Sequence, residues 1–235
     1  MKRLDVWVGG AASLALLYAS WVGWAPFGLT PFSMTEALGF VTGALCVYLV
    51  VKENVWNFPV GIANSAFFLI LFAGARLYAD SALQVVYIAL GFQGWYLWLR
   101  GGEHRTPLKV ERASRRLLAG VGAFVVAAGA ALTLFLRSVN DSAPFLDALT
   151  TALSLGAQYL LNRKAVENWL LWMTADVIYV CLYAARGLHL TAVLYFVFFC
   201  LCVAGLRSWL KTISERAREG GAAPLAEVGG GAVRG

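Results

Sequence analysis

The chain has 235 residues, of which 60% are apolar and only 14% are charged. The charged residues form short clusters separated by apolar runs of about 17 to 21 residues, the length that crosses a bilayer as a helix. An outer-membrane barrel is excluded, because its strands would alternate in character over ~10 residues. The composition therefore predicts an all-α integral membrane protein that crosses the bilayer several times.

Eight apolar runs are long enough to span a membrane. At ~1.5 Å rise per residue, each reaches about 30 Å as a helix. In chain order they are residues 6–24, 34–51, 56–75, 79–99, 117–136, 143–161, 165–185 and 189–209. We therefore predict eight transmembrane helices.

The basic residues predict the orientation of these helices. With the N-terminus inside, sixteen of the nineteen Lys and Arg residues are cytoplasmic, and only Arg76, Arg137 and Arg186 lie outside. This is a strong positive-inside bias, so both termini are expected in the cytoplasm and the protein in a bacterial inner membrane. The basic loop 100–116 is interpreted as a topology signal in contact with membrane lipids, and no nucleic-acid partner is expected.

Neither a metal site nor a disulfide framework is suggested by the cysteines and histidines. All four cysteines lie inside predicted spans, and His104 and His189 have no partners at ligand spacing. The first span begins at Met-Lys-Arg, as a signal peptide can, but no small-residue cleavage site precedes Ala25-Pro26. A retained helix is therefore expected, with no cofactor in the protein.

An internal repeat relates residues 36–98 to residues 147–209 at a constant offset of 111 residues. The matched pairs include Glu36 and Asp147, Tyr48 and Tyr159, Lys52 and Arg163, Asn57 and Asn168, Phe68 and Tyr179, Gly94 and Gly205, and Trp98 and Trp209. Each copy has three spans and one span separates the copies, so the copies are parallel, related by an axis along the membrane normal. Transporters built from repeats bind substrate between the halves, near the bilayer midplane.

The repeat divides the chain into six segments. Residues 1–33 form a peripheral N-terminal helix and outer loop, and residues 34–99 form the first three-helix repeat. A basic cytoplasmic loop at 100–116 leads to a crossover helix at 117–136. The second repeat covers 143–209, and residues 211–235 are predicted to form a largely disordered cytoplasmic tail.

Polar and aromatic side chains share faces within several spans. The main sets are Asn168, Trp172, Asp176 and Tyr179 with Trp169 at their edge; Asn57, Gly61, Asn64 and Phe68; Asp147, Thr151, Ser154, Gln158 and Asn162; and Gln84, Tyr87, Gly91 and Trp95. Aromatic rings can stack on a flat ligand while amides bind its edges, and a cationic ring gains further from Trp faces and from Asp176. The stripes therefore favour a nucleoside-like or heteroaromatic ligand.

Structural explanations compete with this interpretation at several positions. Six tryptophans near helix ends fit an interfacial aromatic belt: Trp7, Trp21, Trp24, Trp95, Trp98 and Trp209. Asn168, Gln84 and Asn64 could join helices through hydrogen bonds. Glu36 and Asp147 fit helix capping, and Glu53 and Glu167 fit surface ions or local pairs. Asp176 lies in mid-span without a basic neighbour, which favours a cavity.

Four segments together resemble the Pnu family of bacterial vitamin transporters: WNFPVGIANSAFF, LYADSALQVVY, GWYLW and RKAVENWLLWMTADVIYVCLYAARGLHLTAVLY. The likeness covers about residues 34–210. It implies a 3+1+3 fold similar to that of SWEET sugar transporters, a homotrimer, and facilitated diffusion of nicotinamide riboside, which a cytoplasmic riboside kinase then traps. The ligand-binding residues that it implies are Asn57, Asn64, Gln84, Tyr87, Asn168, Trp169, Trp172 and Asp176. Gln158 and Tyr179 join this set through the stripes alone.

The predicted function is therefore passive uptake of nicotinamide riboside for NAD synthesis, with thiamine or another cationic heteroaromatic vitamin as the alternative. Family relatives carry thiamine or riboflavin, and some have Asn at the position of Asp176. No P-loop is present, and Pro59 is a candidate hinge for movement of the two halves. A membrane enzyme or receptor is disfavoured, because no His or Cys stands near a carboxylate at catalytic spacing.

Overall fold

The computed structural model describes residues 2–24, 34–74, 76, 78–140, 143–187 and 189–222. Within these ranges every regular element is a helix. The eight α-helices are α1 Lys2–Trp21, α2 Met34–Val51, α3 Asn57–Gly74, α4 Tyr78–Arg100, α5 Arg115–Ser138, α6 Pro144–Asn162, α7 Asn168–Ala185 and α8 His189–Ala222. The predicted all-α fold is confirmed.

The last helix extends further than the sequence pattern predicted. We expected the final span to end at residue 209 and to be followed by a tail, but α8 continues to Ala222. Its last turns are rich in charged residues, which a hydropathy pattern excludes from a span but which a helix outside the bilayer tolerates. The rest of the predicted tail, 223–235, lies outside the described residues, as does the Ala25-Pro26 site.

Five helices in the described part of the chain are both long and apolar enough to cross a membrane. They lie within Asn57–Gly74, Asp80–Arg100, Arg115–Ser138, Asn168–Ala185 and Thr191–Glu219. A shorter apolar helix covers Ala37–Val51 in α2. The chain therefore contains several helices with the character of membrane spans.

Two sequence-based interpretations of helix starts need correction. Pro59 is in the first turn of α3, where backbone N–H groups have no partner within the helix, so it breaks no hydrogen bond and the reason for a hinge there is lost. Asp147 is in the first turn of α6, but the N-cap residue is Ala143. Its charge still suits the positive end of the helix dipole. The Glu36 side chain lies outside the described part.

The helices pack as two groups that meet along two contacts. The first group is α2, α3 and α4, and the second is α6, α7 and α8; neighbours in sequence are in contact within each. The groups touch where α2 meets α8 and where α4 meets α6. Helix α5 lies against α6, and α1 lies against α2. The connections α2–α3, α4–α5 and α6–α7 share one end of the bundle, which we call the basic end.

Two tryptophans join the groups at the basic end through reciprocal hydrogen bonds. Trp98 Nε1 donates to the Leu161 carbonyl at 3.0 Å, and Trp209 Nε1 donates to the Val50 carbonyl at 3.1 Å. Donors and acceptors are both related by the offset of 111 residues. Each group therefore supplies the donor for a carbonyl of the other.

The aromatic-belt interpretation is wrong for these two tryptophans. Trp98 is 3% exposed and Trp209 is 0% exposed, and their ring centroids are 6.1 Å apart. Phe58 packs edge-on against Trp98 at 5.1 Å, and Trp169 does so against Trp209 at 5.3 Å. A Trp near a helix end suits either a bilayer interface or a helix contact. Here the contact between the groups is the one that forms.

Glycines make room for these rings at matching positions. A Cβ on Gly94 would collide with Phe58, and a Cβ on Gly205 would collide with Trp169. Both pairs obey the offset of 111 residues. The close packing at the basic end therefore depends on residues without a side chain in both groups.

An ion pair also joins the groups at the basic end. Lys164 Nζ lies 3.3 Å from Glu53 Oε2, with side chains only 8% and 22% exposed, and Thr212 donates to the other Glu53 oxygen at 3.2 Å. Glu53 and Lys164 are repeat-equivalent and both have left-handed backbone, with φ of 53° and 50°. Our interpretation of Glu53 as a surface ion is therefore wrong.

The connection between α4 and α5 is tied to the α6–α7 turn. Glu111 N donates to the Lys164 carbonyl at 3.2 Å, and Val166 N donates to the Glu111 carbonyl at 2.9 Å. The Glu167 carboxylate accepts from Ala113 N at 2.8 Å. Glu167 is thus a link between two connections, where we had predicted a surface ion or a local pair. The loop that we interpreted as a topology signal also holds the basic end together.

Removing Glu53 should expose the cost of the buried lysine. Burial lowers the pKa of Lys164, and the neighbouring Glu53 opposes this effect. Glu53→Gln leaves the ammonium without its counter-ion and should lower the free energy of unfolding by about 2–3 kcal/mol, measured by thermal unfolding in detergent. Because the pKa of Lys164 then falls further below that of an unfolded lysine, the lost stability should return as pH rises.

A matched control is Glu215→Gln, which removes the exposed pair between Lys211 and Glu215. An exposed pair contributes little, so the change should stay below about 0.5 kcal/mol. The double variant Glu53→Gln/Lys164→Met should regain most of the stability, since it leaves no buried charge unpaired. Equal effects of Glu53→Gln and Glu215→Gln would contradict a structural role for the pair.

Candidate functional site

A cavity of about 300 Å³ lies between the two helix groups. Every helix of both groups contributes to its wall: α2, α3 and α4 from the first, and α6, α7 and α8 from the second. The lining residues are Gly43, Cys46, Val47, Val50, Asn57, Phe58, Gly61, Ile62, Asn64, Ser65, Tyr87, Gly91, Gln158, Leu161, Trp169, Trp172, Asp176, Tyr195, Phe198 and Cys202. This volume suits a small organic molecule.

Seven of the ten predicted site residues line this cavity. They are Asn57, Asn64, Tyr87, Gln158, Trp169, Trp172 and Asp176. Gln84, Asn168 and Tyr179 do not belong to the lining. The structure therefore brings together residues from both repeats that are up to 119 positions apart in the chain.

Asn168 is buried behind the cavity wall. Its Nδ2 donates to the Ala165 carbonyl at 2.7 Å, as Asn57 Nδ2 donates to the Asn54 carbonyl at 2.8 Å. The two asparagines thus close equivalent turns before α7 and α3. The expected hydrogen bond between helices is replaced by a local one, and Asn57 alone of the pair also reaches the cavity.

Tyr179 belongs to a stack of rings beside the cavity. Its ring centroid lies 4.6 Å from that of Tyr195 and 5.9 Å from that of Tyr183, and Tyr183 lies 5.4 Å from Tyr195. Of these three, only Tyr195 lines the cavity. Tyr179 therefore supports a wall residue and is not itself part of the wall.

Asp176 is the charged residue of the lining. It is 6% exposed, and Cys202 Sγ donates to its Oδ2 at 3.6 Å. No described ion pair involves Asp176. Its repeat-equivalent Ser65 also lines the cavity. The second repeat thus places a carboxyl group where the first has a hydroxyl group.

Two further polar groups give the cavity wall hydrogen-bonding capacity. Asn64 Oδ1 lies 3.0 Å from Thr42 Oγ1, which ties α3 to α2. Trp169 Nε1 is buried without a partner among the described residues. An unpaired buried N–H is costly, and because Trp169 lines the cavity, a ligand is a natural acceptor for it.

The sequence pattern missed the α2 side of the cavity. Cys46, Val47 and Val50 line it, but α2 has no polar stripe to reveal a buried wall. The repeat offered a usable signal, because α2 is equivalent to α6, whose polar stripe had been noted. Tyr195 and Phe198 had been identified only as repeat partners of Gln84 and Tyr87, and both belong to the lining.

The lining has the chemistry of a binding site for a small flat molecule. It offers amides, aromatic rings and one carboxyl group, and no group of three or more His, Cys, Asp or Glu residues within the described ranges could hold a metal ion. Rings can stack on a planar ligand while amides bond to its edges.

Comparisons with known proteins agree with this chemistry. The profile of the family described as nicotinamide mononucleotide transporter matches residues 33–211. The chain is 30% identical to the nicotinamide riboside transporter PnuC of Escherichia coli (strain K12), over 78% of this chain and 88% of that protein. It is 26% identical to the riboflavin/roseoflavin transporter RibM of Streptomyces davaonensis, over 74% of this chain and 84% of that one.

A solved structure shares the fold. The crystal structure of the vitamin B3 transporter PnuC superposes with a TM-score of 0.63 at 24% identity, covering 88% of this chain and 92% of that chain. The relatives are transporters and not enzymes, and the family match covers most of the chain. The chain therefore belongs to the nicotinamide mononucleotide transporter family of multi-pass membrane proteins.

Proposed function

We propose that this protein carries nicotinamide riboside across the bacterial inner membrane by facilitated diffusion, to supply NAD synthesis. The single observation that carries the proposal is the cavity between the two helix groups, whose only charged lining residue is Asp176. Relatives named as nicotinamide riboside transporters support the choice of substrate. The riboside has a cationic pyridinium ring, which matches both the carboxyl group and the aromatic walls.

The charge of the lining favours the riboside over its phosphorylated form. The lining contains no Lys, Arg or His. A phosphate would enter a space of low dielectric beside Asp176 without a cation to balance it, which is strongly unfavourable. The mononucleotide named in the family description is therefore a poorer match to this cavity than the riboside.

The transport cycle that we propose uses the relation between the two groups. Contacts repeated at an offset of 111 residues support two parallel three-helix repeats in a 3+1+3 arrangement like that of SWEET transporters. Rocking of the groups about the cavity would open it to each side in turn. The distribution of basic residues supports eight spans with both termini in the cytoplasm, where a riboside kinase would trap the substrate.

The proposed homotrimer rests on the family resemblance. The described helices offer large exposed apolar side chains, among them Ile70, Val126 and Leu134, and these suit lipid or a neighbouring subunit. The alternative substrate is thiamine or another cationic heteroaromatic vitamin, because Asp176 favours the charge and not one particular ring. RibM adds riboflavin, an uncharged ring system, to the substrates to be compared.

Purified protein in liposomes should equilibrate labelled nicotinamide riboside and then stop. Downhill transport is expected, because no nucleotide-binding motif is present in the sequence. Uptake should be reduced by excess riboside and, to a lesser degree, by thiamine or riboflavin. Accumulation above the external concentration that depends on a proton or sodium gradient would contradict facilitated diffusion. Faster uptake of thiamine would transfer the proposal to the alternative substrate.

Trp172→Ala should weaken riboside binding because the substituted side chain no longer stacks on a cationic ring. The expected loss is about 1–2 kcal/mol, or roughly five- to thirtyfold in affinity, measured by calorimetric titration. The control is Trp21→Ala on α1, where the side chain is 75% exposed. Equal affinities of the two variants would show that the aromatic stripe of α7 serves packing alone.

Asp176→Asn should change the preference for charge and spare the fold. The asparagine keeps the shape of the side chain but removes the attraction to a cationic ring. Affinity for the riboside should fall at least about tenfold, whereas affinity for its uncharged 1,4-dihydropyridine form should change little. Calorimetry with both forms gives the ratio. An unchanged ratio would show that Asp176 does not recognise the charge of the substrate.

A further inference from the structure

Asn162, the last residue of α6, is fully buried and connects a cavity residue to the opposite helix group. Its Nδ2 donates to the Leu90 carbonyl of α4 at 2.8 Å and approaches Gln93 Oε1 at 3.3 Å. Its Oδ1 accepts from Gln158 Nε2 at 3.0 Å. Gln158 lines the cavity, whereas Asn162 does not.

The direction of these hydrogen bonds is fixed by the backbone. A carbonyl oxygen only accepts, so Leu90 requires the Nδ2 group of Asn162 on its side. The Oδ1 atom of Asn162 must then face Gln158, and Gln158 must answer with its own N–H. The remaining polar atom of Gln158, its Oε1, has no partner among the described residues and is left for the cavity.

The surrounding packing maintains this arrangement. A Cβ on Gly94 would collide with Asn162 Oδ1 as well as with Phe58, so the glycine is required for Asn162 to occupy its place. The first repeat has no counterpart of the network, because the positions equivalent to Gln158 and Asn162 are Val47 and Val51. The network therefore makes one side of the cavity polar and leaves the equivalent side apolar.

We propose that Asn162 is a positioning residue that fixes Gln158 as a hydrogen-bond acceptor, so that the substrate must present a donor there. This inference rests on the proposed function. On a nicotinamide riboside the available donors are the ribose hydroxyls and the carboxamide N–H. A substrate with only acceptors at that point would face the Gln158 oxygen and bind weakly.

Calorimetric titration of the purified protein with matched analogues tests the acceptor role. Three analogues each lack one ribose hydroxyl, and in 3-acetylpyridine riboside a methyl group replaces the amide nitrogen. We expect one of the four to bind the wild type about five- to tenfold more weakly than the parent riboside. Whether it is a deoxy analogue or the acetyl analogue identifies the donor as ribose or carboxamide.

In Gln158→Met the loss for that analogue should disappear, so that it and the parent bind alike. Gln93→Met is the matched control, because the Leu90 carbonyl alone suffices to orient Asn162, and its analogue pattern should equal that of the wild type. Equal binding of all four analogues to the wild type, or a loss that persists in Gln158→Met, would overturn the acceptor role.

Two variants test the positioning role of Asn162. Asn162→Leu frees the Gln158 amide to rotate, so the loss for the sensitive analogue should shrink below about twofold. Asn162→Asp, whose buried carboxyl group can be protonated, can donate to Leu90 and accept from Gln158, and should keep the discrimination. Full discrimination in Asn162→Leu would refute positioning. Failure of the wild type to bind the parent riboside would instead contradict the proposed function.

Discussion

The contact between the two helix groups at the basic end is the constraint on which the rest of the structure depends. Trp98 and Trp209 each donate to a carbonyl of the opposite group, and Glu53 of one group pairs with Lys164 of the other. None of these buried polar atoms finds its partner within its own group. Because unpaired buried polar groups are costly, the groups are driven to dock in one register, and the cavity is the space that this docking leaves open.

The two groups share a backbone plan but differ in the side chains that they direct into the cavity. The turn before α3 and the turn before α7 are closed by Asn57 and Asn168 through equivalent hydrogen bonds. At the cavity wall, by contrast, Ser65 corresponds to Asp176 and Val47 to Gln158. A symmetric framework thus surrounds an asymmetric site. An asymmetric ligand with a charged ring at one end and hydrogen-bonding groups elsewhere fits such a site better than a symmetric one.

Charge is treated differently at the two levels of the bundle. At the basic end, Lys164 is compensated by Glu53, so its burial serves the docking of the groups. Deeper in, no described ion pair involves Asp176, which accepts only a weak hydrogen bond from Cys202. A carboxyl group in that position is expensive for stability alone, and its position in a cavity wall is consistent with a ligand that supplies the missing positive charge.

The sequence alone determined the helical class, the approximate helix bounds, the duplication and most of the cavity wall, because hydropathy and helical periodicity are local properties. It also selected Asp176 and Trp172 correctly as lining residues, since polar groups within apolar spans have few alternatives. Only the tertiary structure decided the partners. Trp98 and Trp209 read equally well as interfacial residues, and Glu53 as a surface ion, until the docked groups buried them. Periodicity gives the face of a helix, but the helix that covers this face depends on contacts distant in the chain.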